Sequence, residues 1–109
     1  MMLLTKADKA RLPKLYAQDG KGGAAVAFVK FFTPDSSWTW YATEYDGADM
    51  LFGLVDGFEK EVGYFTLSEL RSARGPLGLH IERDLHWAPK RLDEIAPELF
   101  RTAEERKTA

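Results

Sequence analysis

The sequence predicts an α+β fold, with a four- or five-stranded, mainly antiparallel sheet flanked by short helices. Aromatic and β-branched residues concentrate in short runs bounded by turn residues, which is typical of strands. Two capping signatures indicate helices before and after these runs. With 109 residues and no cysteine, the chain can bury a core without disulfides. We therefore expect one domain over residues 1–101 and a charged, frayed tail over residues 102–109.

The first helix is predicted to begin at Lys6. Thr5 and Asp8 have the spacing of a capping box, with Asp in the place of Glu. Pro13 disfavours helical conformation in the residue before it, so the helix should end or bend there. The stretch DGKGG at 19–23 predicts a flexible turn. Its glycines have neither dinucleotide nor Walker spacing, so we reject a phosphate-binding loop.

A hairpin is predicted next, and the rest of the chain is organised around it. Residues 24–33 are apolar on both alternating faces, which in so short a run indicates a buried strand. Pro34 and Asp35 predict a turn, in which the Asp35 side chain accepts hydrogen bonds from nearby backbone amides. Residues 37–45 then return as the second strand.

The second strand of the hairpin is rich in aromatic residues. Alternation places Trp38 and Trp40 on one face, within reach of phenylalanines across the ladder. Tyr41 and Tyr45 fall on the other face. One side of the hairpin should therefore lie in the core.

Two further strands follow the hairpin. Residues 50–55 and 61–65 have the composition of strands. The Asp-Gly pair at 56–57 lies between them and is a signal for a hairpin, although the loop is longer than two residues.

A second helix is predicted after these strands. Thr66 and Glu69 form a capping box, the clearest local signature in the chain. The helix should run through about Arg74. Gly75 is predicted to end it in the left-handed conformation, and Pro76 prevents its continuation.

The last strand is predicted over residues 79–87 (LHIERDLHW). Its side chains alternate between an apolar face and a polar face. The apolar face consists of Leu79, Ile81, Leu85 and Trp87, interrupted by Arg83, and the polar face of His80, Glu82, Asp84 and His86. Beyond Pro89, residues 90–96 predict a helical turn or two, and Pro97 begins a C-terminal helix.

The polar face of that strand, His80, Glu82, Asp84 and His86, is the candidate metal or acid–base site. Imidazoles and carboxylates are ligands for zinc, manganese or iron. Residues two apart on a strand lie roughly 7 Å apart, so one ion cannot bind all four, although adjacent members could share an ion with another element. The solvent face of a strand gives the same pattern. The sequence thus permits a divalent metal without requiring any cofactor.

Charge is unevenly distributed along the chain, whose formal net charge is −2. Residues 1–34 contain six Lys/Arg against two Asp/Glu, whereas residues 35–61 contain one Lys against seven acids. The acidic segment coincides with predicted turns, where solvated carboxylates are ordinary. Within it, Glu44 and Asp46 fall on one face and could hold a cation, although the sequence favours a role beside the turn. No apolar run approaches the ~20 residues of a membrane helix, so we expect no membrane partner and a cytoplasmic protein.

The aromatic residues and the acidic segment together predict a protein partner. Six of the aromatic side chains cannot all be buried in so small a core: Trp38, Trp40, Tyr41, Tyr45, Phe58 and Tyr64. Exposed aromatics form hot spots for protein partners, and they also stack nucleobases beside basic grooves, but this region is acidic. We therefore expect a non-enzymatic protein-interaction module. The predicted contact residues are Trp38, Trp40, Tyr41, Tyr45 and Asp46.

Two alternatives remain open at this level. A nucleic-acid binder could use a patch of basic residues that combines Arg71, Arg74, Arg83, Lys90 and Arg91 with the lysines and arginine near the N-terminus. A small metal-assisted hydrolase or nuclease could use the polar strand face described above. No serine lies in a G-x-S-x-G setting, so the sequence favours no enzyme without excluding one.

Five segments are the most distinctive parts of the chain: LLTKA, LPKLYAQDG, VKFFTPDSSWTWYATEYDG, LFGLVDGFEKEVGYFTLSEL and RGPLGLHIERDLHW. Through them, roughly the first nine tenths of the chain resembles a bacterial family catalogued as domain of unknown function 2958. The resemblance implies a small accessory protein, often carried on plasmids and integrated elements, that acts in transfer, replication or countering host defences. It implies no activity and no catalytic residues.

Overall fold

An antiparallel sheet of five strands is the centre of the fold, which confirms the predicted α+β class. The structure is a computed structural model that describes residues 2–100, and the predicted tail at 102–109 lies outside them. The elements in chain order are α1 (Lys6–Arg11), β1 (Val26–Ala27), β2 (Val29–Phe32), β3 (Thr39–Tyr45), β4 (Met50–Asp56), β5 (Lys60–Thr66), α2 (Leu67–Ser72), β6 (Glu82–Arg83), β7 (Lys90–Arg91) and α3 (Leu92–Ile95), with 3-10 turns at Gly22–Ala24 and Pro97–Leu99.

Consecutive hairpins build most of the sheet, whose strand order is β5-β4-β3-β2-β6. In the central hairpin, Phe31 pairs with Trp40 across the ladder, which agrees with the prediction that the tryptophans lie within reach of phenylalanines. In the hairpin of β4 and β5, Gly53 pairs with Gly63. Short connections between antiparallel neighbours thus place the strands in nearly their chain order.

The predicted first strand is divided into two. β1 pairs with β7 in a separate two-stranded sheet, whereas β2 lies in the main sheet. Phe28 lies between them, and its backbone N–H donates to the carbonyl of Ala42 at 2.9 Å. Ala27 and Val29 are both buried, but on opposite sides of the sheet. Because both halves are buried, the apolar pattern of the sequence does not show where the strand divides.

The predicted strand over residues 79–87 is wrong for most of its length. Only β6 pairs with the sheet, with one isolated bridge at His80. The chain then turns at Asp84, whose carboxylate accepts a hydrogen bond from the His86 N–H at 2.9 Å. Aspartate side chains compete with ladders in this way. Of the predicted apolar face, Ile81 is buried, Trp87 is half-buried, and Leu79 and Leu85 are exposed.

The two faces of the sheet are covered by two separate groups of buried side chains. The first core cluster consists of Leu3, Leu4, Leu12, Val29, Phe31, Ala42, Tyr45, Leu51, Phe65, Leu67, Leu70 and Ile81. The second core cluster consists of Ala25, Ala27, Leu54, Leu92 and Ala96. Residues of the α1 segment and α2 therefore cover the first face, and those of β1 and α3 the second.

A β-bulge in β3 changes which face the end of this strand presents. The register with β4 shifts between Ala42 and Glu44, so Thr43 is the extra residue. Tyr45 consequently lies in the first core cluster. It does not share a face with Tyr41, which packs against the second cluster. The bulge thus corrects the face that simple alternation predicts for Tyr45.

Both predicted helix starts are present. At α1, Thr5 and Asp8 form the full capping box. At α2, the hydroxyl of Thr66 accepts a hydrogen bond from the N–H of Glu69 at 3.0 Å. Such caps satisfy N–H groups that have no partner inside the helix.

The predicted left-handed stop at Gly75 is wrong. α2 ends at Ser72, and the φ of Gly75 is not positive. Gly75 instead gives room to Asp35, because a Cβ there would collide with this carboxylate. The Asp35 carboxylate accepts a hydrogen bond from the N–H of Leu77 at 2.7 Å. Asp35 therefore forms its hydrogen bond with the loop after α2, and it does not bond the amides of its own turn.

Candidate interaction surface and cavities

Three aromatic rings form what we name the aromatic tip: Trp38, Trp40 and Phe58. Phe58, in the loop between β4 and β5, is 95% exposed. Its ring meets Trp38 edge-on, with the ring centroids 5.3 Å apart. The ring of Trp40 lies 5.9 Å from Trp38 and packs against the first core cluster. The aromatic tip is therefore anchored in the core on one side and open to solvent on the other.

Gly57 allows the loop and the ring of Trp38 to lie against each other. A Cβ at Gly57 would collide with this ring, so a side chain at this position would displace it. The N–H of Gly57 donates to the carbonyl of Glu59 at 3.2 Å and closes the turn. Phe58 is thus presented by a short, hydrogen-bonded loop.

Carboxylates border the aromatic tip. A cavity of about 260 Å³ beside it is lined by Trp38, Val55, Phe58, Glu59 and Glu61. Lys60 lies between the two acids in sequence, but its ammonium pairs with Glu98 at 2.6 Å. The hydrogen bond from Lys60 to Glu98 raises the pKa of Lys60. Glu59 and Glu61, which we name the acidic rim, therefore give the tip a negative edge.

A second cavity lies on the other side of Trp38. It measures about 360 Å³, and its lining includes Trp38, Trp40, Arg74, Pro76 and Ile81. Trp38 therefore forms a wall between two hollows, one against the acidic rim and one against the loop after α2. An amphipathic ring between concave surfaces is typical of a protein-contact residue.

The other predicted contact residues do not belong to the aromatic tip. Tyr41 packs on Trp87 on the opposite face of the sheet, with ring centroids 5.4 Å apart, and burial raises the pKa of Tyr41. Tyr45 is 5% exposed, and its hydroxyl donates to the carbonyl of Ala48 at 3.1 Å. The structure thus divides the predicted set between two faces and the core.

Asp46, also predicted as a contact residue, organises the turn between β3 and β4. Its Oδ1 accepts hydrogen bonds from the N–H groups of Ala48, Asp49 and Met50 at 2.8, 2.9 and 3.0 Å. These backbone hydrogen bonds, that from Ala48 first, lower the pKa of Asp46. The carboxylate is exposed, but its observed contacts are those of a turn residue.

The predicted polar strand face is not brought together. His80 and Glu82 line a cavity of about 380 Å³ next to Leu3 and Leu70, whereas Asp84 pairs with Lys30 at 3.6 Å. His86 lies beyond the turn that follows Asp84. Among residues 2–100, no group of three or more His, Cys, Asp or Glu is placed so that it could hold a metal ion.

Glu44, which the sequence suggests as a cation ligand together with Asp46, is a buried carboxylate on the second face of the sheet. Glu44 is 5% exposed and accepts hydrogen bonds from the N–H groups of Tyr16 and Gln18, at 2.8 and 2.9 Å. It lines the largest of the described cavities, about 520 Å³. Glu44 and Asp46, which the sequence suggests as a pair, have different surroundings: Glu44 lies inside β3 under the loop that contains Tyr16 and Gln18, whereas Asp46 lies in the exposed turn after β3. The available sequence signal for the burial of Glu44 was its position between Thr43 and Tyr45, inside a half-buried strand.

Comparison with known proteins gives a family. A family model described as protein of unknown function (DUF2958) matches residues 3–99. The chain belongs to this family. No curated protein and no solved structure matches the chain, so the DUF2958 assignment gives no role to the aromatic tip. In the described part of this DUF2958 protein, no helix has the length and apolar character to cross a membrane.

Proposed function

We propose that this protein is a non-enzymatic interaction module that binds a protein partner through its aromatic tip and acidic rim. The observation that carries the proposal is Phe58, a large apolar side chain that is 95% exposed yet held edge-on against Trp38. We place this activity in the cytoplasm, in an accessory role on a bacterial mobile element. The accessory role rests on the family resemblance alone, and the cytoplasmic location is an expectation from the sequence.

The energetics of the aromatic tip favour binding. An exposed phenylalanine gains about 2 kcal/mol when it is fully buried, and aromatic residues are over-represented at interfaces. The loop that carries Phe58 is short and closed by the hydrogen bond of Gly57 to Glu59. A partner therefore does not have to order a flexible segment, and less conformational entropy is lost on binding.

The charges around the tip define the chemistry of the partner. Glu59 and Glu61 line the same cavity as Phe58, and the intervening Lys60 is paired with Glu98. Electrostatic complementarity then calls for lysine or arginine beside the partner's apolar contact. The expected occupant is a protein segment with one apolar or aromatic side chain flanked by basic residues. Nucleic acid, whose phosphates are negative, does not fit this rim.

Selection from a random peptide display library on the immobilised protein tests the proposal. The expected consensus has an apolar or aromatic residue next to Lys or Arg. Phe58→Ser should weaken binding of a selected peptide about tenfold or more, as hot-spot truncations do. Its stability should change by less than about 0.5 kcal/mol, because the Phe58 side chain is exposed.

The matched control is Leu85→Ser, which removes another exposed apolar side chain beyond β6, away from the aromatic tip. This variant should bind the selected peptides like the wild type. An acidic consensus, or equal binding by Phe58→Ser, would contradict the proposal. Selective retention of nucleic acid by the wild type, lost at high salt, would replace it with the nucleic-acid alternative.

A further inference from the structure

The cavity that contains Glu44 lies apart from the aromatic tip, on the second face of the sheet. It measures about 520 Å³, within the range of small-molecule sites in proteins. Its walls include four aromatic rings, those of Tyr16, Phe52, Tyr64 and Phe100, together with Gln18 and Glu44. A loop (residues 13–25), strands β3 to β5 and the C-terminal turns thus meet around one hollow.

Glu44 is a buried carboxyl group that forms no ion pair with a described residue. The ion pairs within residues 2–100 join other side chains. One carboxylate oxygen accepts a hydrogen bond from Tyr16 and the other from Gln18. Each oxygen has two acceptor directions, so both retain capacity for a further donor. Among its described lining residues, the cavity also contains Asp19 and no Lys, Arg or His.

The aromatic walls of the cavity are held in place by specific contacts. Tyr16 adopts a φ of 72°, which is strained for a residue with a side chain. A hydrogen-bonding interaction with Tyr16 raises the pKa of Tyr64. The Tyr64 ring in turn packs edge-on against Phe52 at 4.9 Å. Neutral aromatic rings attract cations through their faces.

We propose that this cavity binds a small organic cation, an alkylammonium or alkylguanidinium. The nitrogen donors of the cation would bond the free acceptor directions of Glu44, and its alkyl part would pack against Phe52 and Val62. A bare metal ion is a poorer match, because Glu44 and Asp19 are the cavity's only described carboxylates. The size of the cavity favours a free small molecule over a side chain of a protein partner.

Amide chemical shifts in NMR titrations test this proposal with n-butylammonium as the probe. Neutral n-butanol has a similar shape and is the comparison. The expected result is saturable shifts at residues lining the cavity, with a Kd about tenfold or more below that of butanol, since the charge supplies the difference. Equal affinity for butanol, or shifts scattered over the surface, would overturn the proposal.

Three variants make the test specific. Glu44→Gln should weaken butylammonium binding about tenfold. The amide introduced by Glu44→Gln would face backbone N–H groups and can disturb the loop, so a second variant is needed. This variant is Tyr64→Ala, which should keep its fold because Tyr64 is half-exposed. It should weaken binding about threefold, as loss of one cation–π contact predicts. Glu69→Gln makes the same charge change at an exposed position of α2, outside the cavity and the acidic rim, and should bind like the wild type.

The source of the cation is tested with Nα-acetyl-lysine methylamide, which presents the same ammonium on a peptide backbone. Binding no tighter than that of butylammonium supports a free small molecule. Binding about tenfold tighter would overturn that assignment and point to a lysine side chain of a partner. Unchanged binding by Tyr64→Ala, or weakened binding by Glu69→Gln, would contradict the cavity as the site.

Discussion

The two faces of the sheet differ in how side chains pack against them. The first face packs a continuous set of buried apolar residues under the α1 segment and α2. The second has a smaller buried set, completed by half-buried aromatics, and next to it lies the cavity with Glu44. A continuous core secures the fold, which leaves the second face free to contain a polar cavity. Stability should therefore depend mainly on the first face.

Truncating the same residue type on each face gives the largest expected difference. Phe31→Ala removes a ring that is 0% exposed from the first core cluster and should lower the free energy of unfolding by about 3–5 kcal/mol. Phe52→Ala removes a half-buried ring from the cavity wall and should lower it by about 1–2 kcal/mol. Urea denaturation measures both. Equal losses would show that the second face is as closely packed as the first.

Gly53 and Gly63, which pair across β4 and β5, differ in the space around them. A Cβ at Gly53 would collide with the carbonyl oxygen of Tyr41, whereas one at Gly63, its cross-strand partner, would meet open space. Gly53→Ala should therefore destabilise by about 2–3 kcal/mol through overpacking beside the bulge. Gly63→Ala should be neutral or stabilise by up to about 1 kcal/mol. Equal melting temperatures of the two variants would contradict this account.

Much of the first face could be predicted from the sequence, because it is built from local patterns. The capping box of Thr5 and Asp8 and the pairing of Phe31 with Trp40 follow from spacing and alternation. What failed depends on distant or irregular contacts. The bulge at Thr43 has no sequence signature. The turn at Asp84 ends a strand that alternation alone would continue.

The candidate sites were less predictable for the same reason. Trp38 was expected at a partner surface because so small a core cannot bury all the aromatic side chains, but its contact with Phe58 depends on the room left by Gly57. Glu44 could not be recognised as buried because the groups that hold it come from a loop 26 and 28 residues earlier. Sequence patterns report the periodicity of an element, and they do not report which loop folds onto it.

The loop on the second face is fastened by hydrogen bonds more than by packing, which predicts an effect of intermediate size. The side-chain amide of Gln18 donates to the carbonyls of Val26 and Thr43 and accepts from the N–H of Val26, at 2.7 to 2.9 Å. Gln18→Leu leaves these groups unsatisfied and should cost about 2 kcal/mol. Asp19→Ala, at the exposed neighbour, should cost less than about 0.5 kcal/mol. Hydrogen exchange of the Val26 amide should increase in the first variant alone.

The smallest expected effect concerns a polar contact at the edge of the first face. Asp8 caps α1, bonds Arg11 at 2.8 Å, and lies 3.6 Å from Arg83 of β6, so it joins the helix to the edge of the sheet. Burial alone would raise the pKa of Asp8. The hydrogen bonds from Thr5 and Arg11 and the charge of Arg83 outweigh it and hold the pKa below its ordinary value of 3.8.

A lowered carboxyl pKa has a defined consequence for stability. The contribution of Asp8 is complete above the unfolded-state value and is lost as the pH falls through the lower folded-state value. Asp8→Asn should therefore cost about 1 kcal/mol at pH 7, as loss of a helix cap does. Its free energy of unfolding should also fall less steeply than that of the wild type below pH 3.8. If the free energies of unfolding of the two proteins fell in parallel with pH, the charge of Asp8 would not stabilise the first face. Only an ionised carboxylate loses its contacts on protonation.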